Sequence, residues 1–150
     1  MYYFAYGSNM SHSQMRQRCP SSSFFKRAFL LGYKLIFEGY SINWKGPVSN
    51  VVESSDDIVW GGIFKINEDD LAALDCYEGY PKSYNRRQVA LEDDEGKEFR
   101  AILYYRVSRG SGEPSRDYLN KIIEGARDCG LPEEYIIKLS ELLDSGEGLR

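Results

Sequence analysis

The chain has 150 residues, 42% of them hydrophobic and 14% aromatic, with 12 tyrosines, which fits a single domain over residues 1–150 built on one sizeable core. Its formal net charge of −4, with the basic residues scattered, argues against a phosphate-reading nucleic-acid partner, and no apolar run approaches the ~20 residues that span a bilayer. The three cysteines (Cys19, Cys76, Cys129) form no CxxC pair, and one histidine, His12, excludes multi-histidine metal sites and leaves little room for Ser-His-Asp or Cys-His chemistry.

The opening stretch MYYFAYGSNM lacks a basic n-region and does not read as an export signal, so a cytoplasmic protein with reduced thiols is expected. Tyr2 to Tyr6 reads as a strand running into a tight loop at Gly7. Ser11 to Cys19 is polar and helix-compatible, closed by Pro20. Phe24 to Phe37 reads as one bent strand or two short ones around Gly32, and Ser41 to Asn50 as a loop rich in glycine, proline and serine. Ile58 to Ile66 is β-branched and aromatic, and its double glycine predicts a bulge or a close backbone approach.

Asn67 is placed to cap a helix whose first turn carries Glu68, Asp69 and Asp70, with Leu71 and Leu74 on one face and Gly79 and Pro81 ending it. Arg86 to Leu91 and Phe99 to Val107 alternate as a hairpin around Asp93-Asp94-Glu95-Gly96. Leu119, Ile122, Ile123 and Ala126 follow helical spacing, Gly130 and Pro132 interrupt it, and Ile136, Leu139 and Leu143 share a face of a last helix. Strands dominate the first two thirds and helices the end, an α+β arrangement.

Chemistry is left to carboxylates, hydroxyls and backbone groups, and two places can supply it. In the loop Tyr6-Gly7-Ser8-Asn9, a glycine after a strand lets amides approach a ligand, Ser8 and Asn9 add donors, and a helix beginning at Ser11 would aim its positive end there. The same residues also read as an ordinary turn with Asn9 or Ser11 as a cap. Glu78 sits at a helix C-terminus, where the dipole disfavours a carboxylate, and Tyr77 and Tyr80 flank it; both effects raise its pKa toward that of a general base. The alternative is a solvated glutamate at a helix end.

Other candidates are thinner. Cys76 has no evident base, Arg86 and Arg87 point to opposite faces of a strand so that at most one meets a substrate carboxylate, and Glu92 to Glu95 reads as a hairpin tip, not a metal site. Tyr118, opening the apolar helix, offers a hydroxyl to a pocket or simply packs.

In order along the chain, Phe4-Ala5-Tyr6-Gly7-Ser8-Asn9, Asp57-Ile58-Val59-Trp60-Gly61, Leu74-Asp75-Cys76-Tyr77-Glu78-Gly79, Pro114-Ser115-Arg116-Asp117-Tyr118 and the run Gly125 to Tyr135 together resemble the γ-glutamylcyclotransferase family. The resemblance implies a small mixed, mainly antiparallel barrel with helices packed around it. It also implies cyclisation of a γ-glutamyl group to 5-oxoproline with release of a free amine or amino acid, without cofactor or metal. The family's acid/base glutamate matches Glu78, and its substrate contacts match Phe4, Ala5, Tyr6, Gly7, Ser8, Asn9 and Tyr118. The segment Tyr80-Pro81-Lys82-Ser83-Tyr84 is similar to branches that act on varied γ-glutamyl compounds, which leaves the departing amine open. A non-catalytic binding module on the same fold and a cyclotransferase for a γ-glutamylated secondary metabolite are the competing readings, and the scattered aromatics permit a homodimer.

Overall fold

In the first strand, β1 (Tyr2–Ala5), Tyr3 and Ala5 point one way and Phe4 the other, yet all three are buried, so this strand is covered on both faces. The structure, a computed structural model that describes residues 1–107 and 112–148, explains why: β1 closes a five-stranded barrel in the order β1-β3-β2-β4-β5. The other strands are β2 (Ser23–Ser41), β3 (Gly46–Lys65), β4 (Asn85–Glu92) and β5 (Glu98–Tyr105). All neighbours run antiparallel except β1 and β5, which meet in parallel at Tyr3 and Ile102. The expected α+β class and mixed, mainly antiparallel barrel are therefore what the chain forms.

Phe4, Tyr6, Ala28, Leu30, Ile63 and Leu103, from four strands and the end of β1, belong to the cluster that fills the barrel. Tyr3, Ala5 and Phe64 belong to a second cluster outside it, shared with the helices. Fully burying a side chain of this size contributes roughly 1.5–3 kcal/mol, so the two clusters bind β1 from both sides.

The loop expected over Ser41 to Asn50 is a correction: β2 runs to Ser41, β3 begins at Gly46, and only residues 42–45 turn. Tyr33 to Ser41 pairs with Gly46 to Glu53 as an arm that continues the barrel hairpin. Ser49 and Asn50 look loop-like in sequence because the groups that satisfy them lie far along the chain, as described below. The reading of Phe24 to Phe37 resolves to one bent strand: Gly32, at φ 79°, sits where the register shifts. The double glycine marks close approach, since a Cβ on Gly61 would lie 2.3 Å from the Ala5 carbonyl oxygen and one on Gly62 2.6 Å from Cys129 Sγ.

Among the described residues, four α-helices complete the fold: α1 (His12–Arg18), α2 (Glu68–Glu78), α3 (Arg116–Asp128) and α4 (Glu133–Gly148). Asn67 caps α2 through a reciprocal capping box with Asp70. Leu119, Ile122, Ile123 and Ala126 of α3 are buried as their spacing predicts. Glycine at position 125 lets α3 press onto the chain after β1, where a Cβ would lie 2.4 Å from Ser11 N and 2.5 Å from the Met10 carbonyl carbon.

Candidate active site

β1 ends in a 3₁₀ turn, Ser8–Met10, closed by the Met10 N–H on the Gly7 carbonyl and the Ser11 N–H on that of Ser8. Side chains then fix the turn. Gln14 Nε2 donates to Ser8 Oγ and to Asn9 Oδ1, each at 2.8 Å, Arg18 Nη1 donates to Asn9 Oδ1 at 3.0 Å, and Asn9 Nδ2 donates to Tyr3 Oη at 3.0 Å. Asn9 thus holds the loop in shape with both ends of its amide, and it stands in the cavity wall described below. The positive end of α1 is a second correction: the His12 N–H donates to Asp128 Oδ2 and the Gln14 N–H to Ser11 Oγ. The first donor is met by α3 and the second by the helix's own cap, Ser11.

Glu78 closes the last turn of α2, and that turn is anchored. One turn earlier, Asp75 Oδ1 accepts from Tyr104 Oη at 2.6 Å and pairs with Arg86 Nε at 3.1 Å, tying the helix to β5 and β4. Gly79 then adopts the left-handed conformation, and the Tyr80 N–H returns to the Asp75 carbonyl, a Schellman-type stop.

These two elements, 70 residues apart in sequence, wall one cavity of about 270 Å³. Phe4, Tyr6, Gly7, Ser8 and Asn9 line it from one side, Glu78 from another and Tyr118 from a third. Ala5 is buried among the helix-facing apolar residues and does not reach the cavity.

Tyr118 enters from the start of α3, where Ser115 caps the helix by accepting from the Tyr118 N–H. Its hydroxyl accepts from the Ser49 N–H at 2.8 Å and shares a further bond with Ser49 Oγ at 2.8 Å. The Ser49 carbonyl in turn accepts from Tyr84 Oη at 2.6 Å. Gly7 has no Cβ because one would stand 2.3 Å from Ser49 Oγ. The loop, β3, α3 and the segment after α2 therefore interlock at Ser49. Trp44, at the tip of the long arm, leans on the Tyr118 ring at 5.1 Å and completes the rim.

Burial lifts the Glu78 carboxyl from its ordinary 4.5 to about 7, against the pull of Arg18 and Arg106. The desolvating wall is not the flanking pair the sequence suggested. Tyr77 is exposed and packs under Arg18, and the Tyr80 ring lies under Arg86. Tyr3, Tyr6, Tyr84 and Tyr118 surround the carboxyl instead, and burial raises each of their hydroxyl pKa values as well, Tyr118 to about 12.

Among the other sequence candidates, Arg86 and Arg87 do not line this cavity. Arg86 serves Asp75, and Arg87 donates to Tyr33 Oη and covers the Tyr105 ring. Asp93 and Asp94 order the hairpin tip and pair with Lys26 and Arg27. Cys76 is exposed at the cavity edge.

The cavity's cations are residues the sequence reading passed over, Arg18 and Arg106. Arg106 follows β5; Asn50 brackets its backbone by donating to its carbonyl at 2.7 Å and accepting from its N–H at 3.0 Å. Its Nε meets Glu38 Oε1 at 2.8 Å, where Glu38 is almost wholly buried. Arginine spacing along strands carries no mark of this, so no local signal identified it.

A model of the AIG2-like family matches residues 58–139. The γ-glutamylcyclotransferase of Bos taurus is 37% identical over 145 residues, which span 93% of this chain and 77% of the bovine protein. The Homo sapiens γ-glutamylcyclotransferase matches with the same identity and coverage. A solved structure of a γ-glutamyl cyclotransferase superposes with a TM-score of 0.90 at 36% identity, covering 93% of this chain and 86% of that one.

Proposed function

We propose that this chain, which belongs to the AIG2-like, γ-glutamylcyclotransferase family and is an enzyme of that type, cyclises γ-glutamyl compounds to 5-oxoproline with Glu78 as the general acid/base. The observation that carries the reading is the Glu78 carboxyl, held near pKa 7 and sharing a cavity with the Gly7–Asn9 loop.

The substrate's α-amine lies within five-ring reach of its own γ-carbonyl, so holding it folded removes much of the entropic barrier. Only the neutral amine attacks. Ionised Glu78 takes a proton from the α-ammonium; the amine nitrogen then bonds to the γ-carbon, giving a tetrahedral oxyanion. Collapse of that oxyanion breaks the bond to the departing nitrogen, which receives the proton from Glu78. The ring nitrogen sheds a second proton, and the departing amine leaves as an ammonium, so protons balance. A carboxyl with a pKa of about 7 both accepts and returns a proton near neutrality.

The loop supplies the anion-binding side of the cavity. Ser8 Oγ accepts from Gln14 and so keeps its own O–H to donate, and Arg18 stands behind Asn9. Both features suit a substrate carboxylate or the oxyanion. Mass detection of 5-oxoproline after incubation with γ-glutamyl dipeptides and γ-glutamyl amines tests the proposal. Product from at least one member is expected. Saturable binding with no product from any of them would overturn it in favour of a binding module.

A further inference from the structure

Ser11 and Gln14 stand three apart at the head of α1, the spacing of a capping box. In that motif the cap hydroxyl accepts from the N–H three residues on, and the side chain there returns to the cap's own N–H. Only the first half forms here: Ser11 Oγ accepts from the Gln14 N–H at 3.3 Å, whereas the Ser11 N–H is spent on the Ser8 carbonyl at 3.0 Å. Asn67 and Asp70 at the head of α2 complete both halves of the same motif. The Gln14 side chain turns to the loop instead, and its Nε2 donates to Ser8 Oγ and to Asn9 Oδ1, each at 2.8 Å.

A side-chain amide nitrogen carries two hydrogens, so Gln14 spends both on the loop. Gln14 is buried behind the loop and does not line the cavity, whereas Ser8 and Asn9 do. Asn9 Oδ1 keeps a second donor in Arg18, but Ser8 Oγ has no other hydrogen-bond partner among the described residues. Having accepted from Gln14, the Ser8 hydroxyl must point its own proton elsewhere, and the cavity is its open side.

Resting on the cyclotransferase reading, we propose that Gln14 is a positioning residue: by donating to Ser8 from behind the loop, it directs the Ser8 O–H into the cavity, onto an anionic oxygen of the bound γ-glutamyl compound. A serine hydroxyl left to itself rotates, and a donor already aimed has less ordering to lose when charge arrives or develops. Both anions it can meet, the α-carboxylate and the oxyanion on the γ-carbon, belong to the glutamyl part. The effect is therefore the same whichever amine departs.

The test is a double-mutant cycle in turnover of γ-glutamyl-alanine, or of whichever γ-glutamyl dipeptide or amine the wild-type protein turns over best. Ser8→Ala is expected to lower kcat/KM by roughly 10- to 100-fold, the effect of one hydrogen bond to a charged group. Gln14→Met keeps the length and helix propensity of glutamine but cannot donate. It is expected to cost about 5- to 50-fold, on the same parameter, KM or kcat, that Ser8→Ala moves. Added to Ser8→Ala, it is expected to cost less than about threefold, because its route through the hydroxyl is already gone. Gln14→Glu, whose carboxylate accepts the Ser8 proton, is expected to lose at least as much, and it takes the place of Gln14→Met in the cycle if that variant does not fold. A Gln14 variant within about threefold of wild type, a loss on the other kinetic parameter, or an equal loss with and without the Ser8 hydroxyl overturns the role of Gln14 alone. A wild-type protein that releases 5-oxoproline from no γ-glutamyl compound overturns the proposed reaction, and this role with it.

Discussion

Glu78→Gln separates a base from a mere cavity-wall residue, because it changes activity and stability in opposite directions. Its carboxyl is raised from 4.5 to about 7 in the folded protein, so the folded state holds the proton more tightly than the unfolded chain. Stability therefore falls as pH climbs from about 4.5 to about 7 and stays lowered above that range. At about 1.4 kcal/mol per pH unit, the displacement corresponds to about 3 kcal/mol. Since the group lines an open cavity, roughly 1–3 kcal/mol is the expected penalty at pH 8. Glutamine keeps the shape and cannot ionise, so the variant should melt roughly 2–10 °C above the parent at pH 8. The two should nearly coincide at pH 4.5. In the same preparation, release of 5-oxoproline should drop by a factor of order 10² to 10⁴. The parent's kcat/KM should fall off below about pH 7 as the base is protonated. Calorimetry at the two pH values and a turnover assay suffice. A variant that is no more stable than the parent at pH 8, or one that turns over normally, refutes the reasoning.

Other substitutions probe how the cavity is held. Gly7→Ala sets a methyl 2.3 Å from Ser49 Oγ and turns that hydroxyl away from Tyr118; KM should rise about tenfold with only a modest loss of melting temperature, on the 1–3 kcal/mol scale of overpacking. Tyr118→Phe removes the acceptor of the buried Ser49 N–H, and chemical denaturation should show a loss of about 1–3 kcal/mol along with reduced turnover. Gly125→Ala drives a methyl into the backbone at Met10 and Ser11, where no side chain can move aside, and should cost about 3 kcal/mol or more by the same assay. A normal melting curve for that last variant would mean that α3 does not press on the loop as described.

Much of the fold was legible because its signals are local. The Asn67 cap, the apolar stripe of α3 and the Asp93 turn each need only neighbours within a few residues, and each forms as read. The arm was misread for the opposite reason. Ser49 and Asn50 have no local claim to a strand, and their polar groups are met by Tyr84, Arg106 and Tyr118 from later in the chain. The site divides in the same way. Gly7 and Glu78 stand in recognisable motifs, whereas Ala5, inside one of those motifs, packs against the helices. Arg18 and Arg106 come to the cavity only through the folding of other elements around them. Composition likewise hinted at a polar pocket in a tyrosine-rich chain, but which tyrosines build it depends on barrel closure.

That closure has a bearing on how the chain matures. β1 meets β5 at a single parallel bridge, Tyr3 with Ile102, and Tyr6 Oη reaches the Tyr104 carbonyl across 98 positions of sequence. Contacts of such long span form slowly, because the entropy of a large loop must be surrendered before they hold. A nascent chain released before β5 and α3 is made can pair its long hairpin, yet it has neither the floor nor the far wall of a binding chamber. Ligand affinity should therefore appear late and abruptly during refolding, and a chain truncated ahead of α3 should bind nothing.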